Sequence, residues 1–289
     1  MSMHTFRYTR GIKAGSVIRA RDGVPLDLDQ LRAAVPSIFA TEAHESRSQR
    51  FAAVPTINVL TGLQKEGFDV FQAAQAGTRD EGRKDFTKHM LRLRHRSLEN
   101  QRGEAFEIVL VNANDGTSAY QMIPGFFRFV CANGLMTGDT FEEVKVRHSG
   151  NAVSDVIEGA FRVLDASPLV TDQVARFHST MISDDERQVL ADAALVLRFP
   201  DKEPEQIPVK AASLLRPRRS EDRDNSLWTA FNVVQENVIR GGLKGRVQNE
   251  AGQIRRATTR EVAGIDQNRA LNRALWMLTE RMAALKLAA

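Results

Sequence analysis

The sequence is poor in the features that mark secreted, membrane-spanning and zinc-binding proteins. Its 289 residues contain one cysteine, Cys131, which excludes a disulfide within the chain and a zinc site built from cysteines. No run of about 18 apolar residues occurs, so a membrane-spanning helix is not expected. The N-terminal residues lack the apolar core of a secretory signal. We therefore expect a cytoplasmic protein without a membrane partner.

Motifs that identify common enzymes are also missing. There is no Walker-type phosphate loop, no G-x-G-x-x-G dinucleotide motif and no H-E-x-x-H metal motif. His89, His95 and His148 have inward-facing positions on predicted strands and could meet at a metal, but buried histidines with protein partners are commoner. Cys131 lies among apolar residues, as is typical of a buried structural thiol. We therefore predict no cofactor and no metal, and a non-enzymatic protein is favoured.

What is present is an ordinary globular composition with local concentrations of positive charge. Hydrophobic residues make up 42%, and 40 Lys and Arg residues face 36 Asp and Glu residues, for a net charge of +4. Such a chain can bury a core. Although the net charge is small, positive charge is concentrated in residues 240–260, which contain six basic residues and one acid, Glu250.

Alternating apolar and polar residues in the middle of the chain predict an antiparallel sheet of four or five strands. Asp115 and Gly116 form the dipeptide that favours a tight hairpin turn. The predicted strands lie at residues 68–73, 86–96, 107–112, 118–123 and 143–148.

After Gly150 the apolar residues recur with a helical period, including a last helix over residues 259–287. The fold class is therefore α+β, a central antiparallel sheet followed by a mostly helical C-terminal half. We expect a sheet region over residues 1–150 and a helical region over residues 151–289, packed on the sheet as one compact unit.

One predicted helix, which begins at Leu227 and ends at Gly241, carries polar residues opposite its apolar stripe. A solvated face is the simplest interpretation of most of them. They are Asn232, Gln235, Glu236 and Arg240.

Two sets of basic residues are candidate contacts for nucleic acid, and the first lies on the predicted sheet. Arg92, Arg94 and Arg96 share one strand face, and Lys145 and Arg147 repeat the pattern on another strand. Like charges on one face repel each other. They require either acidic neighbours, for which Glu107 is available, or an anionic polymer. The solvent face of the sheet is therefore predicted to be basic.

The second set lies in the glycine-rich segment between the last two predicted helices, which is predicted to be a mobile loop. Its members are Lys244, Arg246, Arg255 and Arg256. Glycine lets a backbone approach a ligand closely, and the arginine side chain donates two parallel bonds to phosphate oxygens. Both a clamp on a nucleic-acid backbone and a solvated, disordered loop fit this pattern.

Aromatic residues that could stack on unpaired bases are few. A core position is the favoured interpretation for Phe127 and Phe129. The candidates are Tyr120, Phe126, Phe127 and Phe129.

Distinctive motifs occur at residues 110–116, 125–135, 146–150 and 215–242. Their order and spacing resemble the phage/plasmid-like protein family, also called domain of unknown function 932. In the first motif Ala113 and Asn114 stand where the family commonly has Ser and His, which weakens the idea of a catalytic histidine in this turn. The resemblance implies no established activity, but it implies a protein of a plasmid, a phage or an integrated element.

The leading hypothesis is a non-enzymatic protein of a mobile element that binds single-stranded DNA. The order of elements over residues 56–135 is loosely similar to the core of single-strand annealing proteins, so a strand-annealing homo-oligomer is one form of this hypothesis. One alternative is a protein-directed counter-defence factor. Another is a metal-dependent nuclease that uses Asp115, Glu107 and a strand histidine. The predicted DNA contacts are Arg92, Arg94, Arg96, Lys145, Arg147, Lys244, Arg246, Arg255 and Arg256.

Overall fold

A seven-stranded sheet is formed by strands from the first half of the chain, and a two-stranded sheet lies between the last two helices. The structure is a computed structural model that describes residues 15–21, 23–42, 54–98, 103–115, 118–128, 135–136, 143–148, 151–249 and 252–288. The strands are β1 (Ser16–Arg19), β2 (Phe68–Gln75), β3 (His89–His95), β4 (Glu104–Ala113), β5 (Ser118–Arg128), β6 (Leu135–Met136), β7 (Val144–Val146), β8 (Lys244–Gln248) and β9 (Ile254–Thr258). The helices are α1 (Leu28–Ala34), α2 (Thr56–Lys65), α3 (Ala152–Leu164), α4 (Ser167–Ser179), α5 (Asp184–Arg198), α6 (Leu227–Arg240) and α7 (Ile265–Ala288).

The larger sheet has the order β1-β2-β3-β4-β5-β6, with β7 also paired to β5. Strand β1 runs antiparallel to β2, and β6 runs antiparallel to β5. The predicted α+β class, with its helical C-terminal half, is confirmed. The prediction of four or five strands was too low, because β1 and β6 carry no usable sequence pattern. Strand β1 has four mostly exposed residues, and β6 has only two residues.

Short polar signals set several helix ends. The Asp27 side chain accepts from the Gln30 amide ahead of α1, and Ser183 and Glu186 form the same reciprocal box ahead of α5. Helix α6 ends at Gly241, whose φ of 63° lies in the left-handed region that glycine tolerates. The end of α6 agrees with the sequence prediction, which placed it at Gly241.

The segment between α6 and α7 differs from its prediction. Residues 244–248 and 254–258 form two paired antiparallel strands rather than a mobile loop, and the last helix begins at Ile265 rather than Thr259. The reason is the backbone bonding of residues 259–262. The Thr259 amide donates to the Leu243 carbonyl and the Val262 amide donates to the Ile239 carbonyl. These two amides are therefore bonded to the last residues of α6 and to the segment that follows it, and the last helix begins after them.

Helix α6 is buried on all sides apart from its last residue, which corrects the expectation of a solvated polar face. Each buried polar side chain has a partner instead. The Gln235 amide donates to Asn272 Oδ1 at 2.7 Å, and the Asn237 amide donates to the Leu214 carbonyl at 2.8 Å. Buried polar groups need such partners, because an unpaired group forfeits its hydration without compensation.

The chain forms two compact units, each assembled from several segments. The first comprises Met1–Leu93, Leu110–Gln121 and Lys145–Gly159, and the second comprises Arg94–Val109, Met122–Val144 and Ala160–Ala289. The core of the first unit includes fully buried aliphatic side chains from α1 and α2. In the second unit Trp276 contacts Phe177 edge to face, with ring centroids 5.1 Å apart. Among the described residues no helix combines the length and apolarity needed to cross a membrane.

Candidate nucleic-acid interface

Strands β8 and β9 form a ribbon that we call the basic hairpin, residues 244–248 and 254–258. Arg246 lies directly opposite Arg256, and Lys244 lies opposite Thr258. Side chains alternate between the two faces of such a ribbon. The outer face carries Lys244, Arg246, Gln248, Ile254, Arg256 and Thr258, and all six are exposed.

The inner face of the basic hairpin is docked on the preceding loop. Gly245, Val247 and Ala257 on this face are partly buried, and the Arg246 amide donates to the Pro208 carbonyl at 3.0 Å. A Cβ atom on Gly245 would lie 1.5 Å from the Pro208 carbonyl oxygen, so only glycine allows this approach. The docking holds the outer face toward solvent.

The outer-face cations have no acidic partner in the part of the chain that the structure describes. Neither Lys244, Arg246 nor Arg256 forms an ion pair there, and Glu250 lies outside the described residues. Arg255 lies opposite Val247 on the other face of the ribbon, where it is also exposed and its guanidinium donates to Gln253 Oε1 at 3.3 Å. The sequence-predicted set is thus divided, with Lys244, Arg246 and Arg256 together on one face.

The basic strand face predicted from the sequence does not exist as an exposed surface. Arg92 and Arg94 are each only 8% exposed. Arg92 donates to Gln72 Oε1 at 2.8 Å, and Arg94 forms a 2.7 Å ion pair with the fully buried Glu107. The alternative that Glu107 supplies the counter-charge is therefore confirmed for Arg94. The expectation that Arg92 and Arg94 face solvent was wrong, because both faces of β3 are covered.

Three other predicted contacts are exposed. Arg96 follows the end of β3, and Lys145 and Arg147 lie in and just after β7, with side chains open to solvent. They stay candidate contacts.

The aromatic side chains considered for base stacking are buried wherever the structure describes them. Tyr120 and Phe127 are almost fully buried, which confirms the core interpretation for Phe127. Phe126 is 6% exposed and contacts the Trp228 ring edge to face at 6.0 Å. Phe129 and Cys131 lie outside the described residues.

In the first unit the structure assembles a buried polar cluster that we call the histidine network: Ser37, Thr56, His89, Asn112, Asn114, Tyr120 and His148. The Thr56 hydroxyl is central, since it lies 2.9 Å from His89 Nε2 and 3.1 Å from the Tyr120 hydroxyl, and accepts from Asn112 Nδ2 at 3.0 Å. His148 Nε2 donates to Asn112 Oδ1 at 3.1 Å. Two of the three histidines considered for a metal, His89 and His148, thus belong to one network.

Burial sets the charge of these histidines. It lowers the pKa of His89 to about 4, with an opposing contribution from the bond to the Thr87 carbonyl, and it also lowers the pKa of His148. His89 Nδ1 lies 3.0 Å from the Ser37 hydroxyl and 3.3 Å from that carbonyl, and Nε2 lies 2.9 Å from the Thr56 hydroxyl. The network therefore holds neutral histidines near pH 7. The histidine network thus forms a polar core whose hydrogen bonds link α2, β3 and β4.

In the second unit lies a cluster of charged side chains that we call the arginine network. Most of its members belong to the motif at residues 215–242. Its members are Glu104, Arg128, Arg219, Asp222, Glu236 and Arg240. Arg219 donates two bonds of 2.7 Å to the Glu236 carboxylate, and Arg128 donates to Asp222 Oδ1 at 2.7 Å. Trp228 Nε1 donates to Glu104 Oε1 at 2.8 Å. Arg128 and Arg219 are thus committed to buried carboxylates and hold the segment before α6.

The alternative of a metal-dependent nuclease requires a cluster of metal ligands, and the described residues form none. Glu107 is committed to Arg94, and among the described residues no group of three or more His, Cys, Asp or Glu side chains is placed to hold a metal ion. His95 contacts Ser97 and the Phe161 ring rather than the histidine network.

Sequence reasoning did not find the two networks as units, because their members are far apart in the chain. Thr56, Asn112 and His148 are an example. The available signal was the motif pattern, since Asn112, Asn114 and His148 belong to two of the distinctive motifs and Arg219 and Glu236 belong to the last.

Comparison with known proteins agrees with those motifs. A family model described as "Domain of unknown function (DUF932)" matches residues 43–276. Two proteins of Escherichia coli (strain K12), the UPF0380 protein YafZ and the UPF0380 protein YfjQ, are each 46% identical over 258 residues, which is 89% of this chain and 92% of the relative. No solved structure matches the chain.

Proposed function

We propose that this chain, which belongs to the family of the domain of unknown function DUF932, binds DNA without catalysing a reaction. The contact surface is the outer face of the basic hairpin. The family description names no activity, so the support comes from the residues of this chain. The origin in a mobile element and a strand-annealing role stay predictions from the sequence.

One observation carries the proposal. Arg246 and Arg256 are directly opposed across the ribbon, both are exposed, and neither forms an ion pair with a described carboxylate. Like charges directly opposite each other destabilise a strand pair. An anionic polymer on the outer face removes that repulsion, since it places negative charge beside both guanidinium groups.

Phosphate groups fit these side chains. The guanidinium donates two parallel bonds to phosphate oxygens, and Lys244 adds a compact charge on the same face. Arg96, Lys145 and Arg147 are proposed as further contacts, whereas Arg92 and Arg94 are buried and do not belong to the proposed surface. Phosphate contacts are available on both single-stranded and duplex DNA, so single-stranded DNA stays one candidate form of the ligand.

The experiment is a fluorescence-anisotropy titration of labelled single-stranded and duplex oligonucleotides at several salt concentrations. We expect the affinity to fall linearly on a log–log plot against salt, because each neutralised phosphate releases counterions. The double variant Arg246→Glu/Arg256→Glu is expected to lose at least about tenfold in affinity at low salt and to reduce the salt slope by about 2.

The matched control is Arg223→Glu/Arg281→Glu, which makes the same change in net charge at two exposed arginines of the second unit. It is expected to change affinity far less than the hairpin variant. An equal loss in both variants overturns the assignment of the hairpin as the contact. Absence of binding by the unmodified protein to either oligonucleotide at low salt overturns DNA binding itself.

A further inference from the structure

We infer that the form of DNA recognised by the basic hairpin is the duplex, with the outer face of the ribbon inserted in the major groove. This inference rests on the proposed DNA binding and adds the ligand form and the groove. It departs from the expectation of single-stranded DNA drawn from the sequence.

The dimensions of the ribbon fit that groove. Strands β8 and β9 have five residues each, which gives a ribbon roughly 17 Å long with its two strands about 4.8 Å apart. The major groove of B-form DNA is about 12 Å wide and admits a two-stranded ribbon. A ribbon of this length runs along about five base pairs, since the rise is about 3.4 Å per pair.

The side chains of the outer face have the chemistry of the major groove. Arginine pairs with the O6 and N7 acceptors of guanine, and threonine bonds to several base edges. Arg246, Arg256 and Thr258 supply these groups on one face. Ile254 is 69% exposed on the same face, and an apolar side chain there fits the methyl group of thymine.

Recognition of a single strand needs a different surface. Proteins that bind single strands combine a positively charged groove with exposed aromatic rings on which unpaired bases stack. The outer face carries no aromatic residue, and the described candidates Tyr120, Phe126 and Phe127 are buried. On the inner face Gly245 lies against Pro208, whereas all six side chains of the outer face are exposed and can be reached by a duplex.

The test compares a short duplex of mixed sequence with each of its separate strands in the same anisotropy assay. We expect the duplex to bind about tenfold more tightly, the scale of one base-edge contact. Replacing guanine by 7-deazaguanine, which removes the N7 acceptor from the major groove, is expected to abolish that preference. Arg246→Ala and Arg256→Ala are expected to do the same.

The matched control is Arg255→Ala, which removes an equal charge from the inner face of the same ribbon. It is expected to weaken both DNA forms slightly and to preserve the duplex preference. Equal, salt-dependent affinity for duplex and single strands overturns the groove inference and leaves the proposed DNA binding intact. A preference that survives 7-deazaguanine also overturns it, whereas failure to bind either form overturns both proposals. Melting curves of each variant are expected to match that of the unmodified protein, because the substituted side chains are exposed.

Discussion

The buried Glu236 carboxylate depends mainly on one partner, Arg219, for its stabilisation. It is 2% exposed, and Arg219 donates two bonds of 2.7 Å to it. Arg240 approaches it at 3.3 Å from a side chain that is 54% exposed. A buried charge is costly unless its partner offsets the lost hydration. Arg219 therefore provides the larger share of that compensation.

Arg219→Met is expected to lower the free energy of unfolding by about 3 kcal/mol, because it leaves a buried carboxylate without its two closest guanidinium bonds. Arg240→Ala, which removes the exposed partner, is expected to cost less than about 1 kcal/mol. Urea denaturation followed by circular dichroism measures both. The double variant Arg219→Met/Glu236→Met should recover part of the loss. Equal effects of the two single variants would contradict this account of the arginine network.

The sequence alone does not predict the partners of these buried polar residues, because those partners lie in other segments of the chain. Helical periodicity identifies the apolar stripe of α6 but does not show what covers the opposite side. The cover of Glu236 comes from Arg219, and the cover of Asn237 comes from Leu214. Arg94 is similar, since its pairing with Glu107 depends on the register of two strands, which alternation alone does not specify.

At the scale of elements, the basic hairpin depends on one close backbone approach. Gly245→Ala places a Cβ atom 1.5 Å from the Pro208 carbonyl oxygen, so the strand or the loop must move. We expect a loss of about 2 kcal/mol in stability and faster hydrogen exchange of the Arg246 amide, which donates to that carbonyl. Mass-detected hydrogen exchange and thermal melting measure these effects.

The control is Gly264→Ala, where an added Cβ meets only the Gln267 Cβ at an ordinary 3.8 Å. Little change is expected there. If Gly245→Ala exchanges at the rate of the unmodified protein, the hairpin is not anchored through this contact.

Elements with local signals were predicted well, and those that need distant partners were not. Helix α6 was predicted from its apolar stripe and from Gly241, which ends it. The basic hairpin was assigned as a loop because its charge and glycine content conceal the alternation of β8 and β9, and because its inner face packs on Pro208 rather than on a local neighbour.

For the whole molecule, acid is expected to weaken the fold through the histidine network. The pKa of His89 is lowered from 6.5 to about 4 in the folded chain, so the unfolded chain binds the proton more readily. The stabilisation is complete above pH 6.5 and is lost as the pH falls toward 4. We expect a loss of about 2 kcal/mol between pH 7 and pH 5, with a further contribution of the same sign from His148.

Denaturant titrations at pH 7, 6 and 5 measure this loss. His89→Gln removes the titrating group, so its stability is expected to change much less over the same range even if it starts lower. A variant with the full pH dependence of the unmodified protein would show that another group is responsible.

Fold class and family were the parts of the whole that the sequence predicted correctly. Strand alternation, helical periodicity and motif order are properties of the chain itself, and they required no knowledge of packing. The division into a sheet region over residues 1–150 and a helical region over residues 151–289 stays a prediction. Inward-facing positions of His89 and His148 were predicted from alternation, but the hydroxyl and amide groups that contact them come from α2 and β4.

The base of the basic hairpin is closed by backbone bonds between Gly242 and Thr259 and between Thr259 and Leu243. A ribbon clamped at its stem cannot swing as a free arm does, so its charges are already positioned before a ligand arrives. In the proposed complex with DNA, binding would therefore forfeit little conformational entropy of the backbone, and more of the electrostatic attraction would appear as affinity. The stem would then serve to pre-organise Lys244, Arg246 and Arg256 for the ligand.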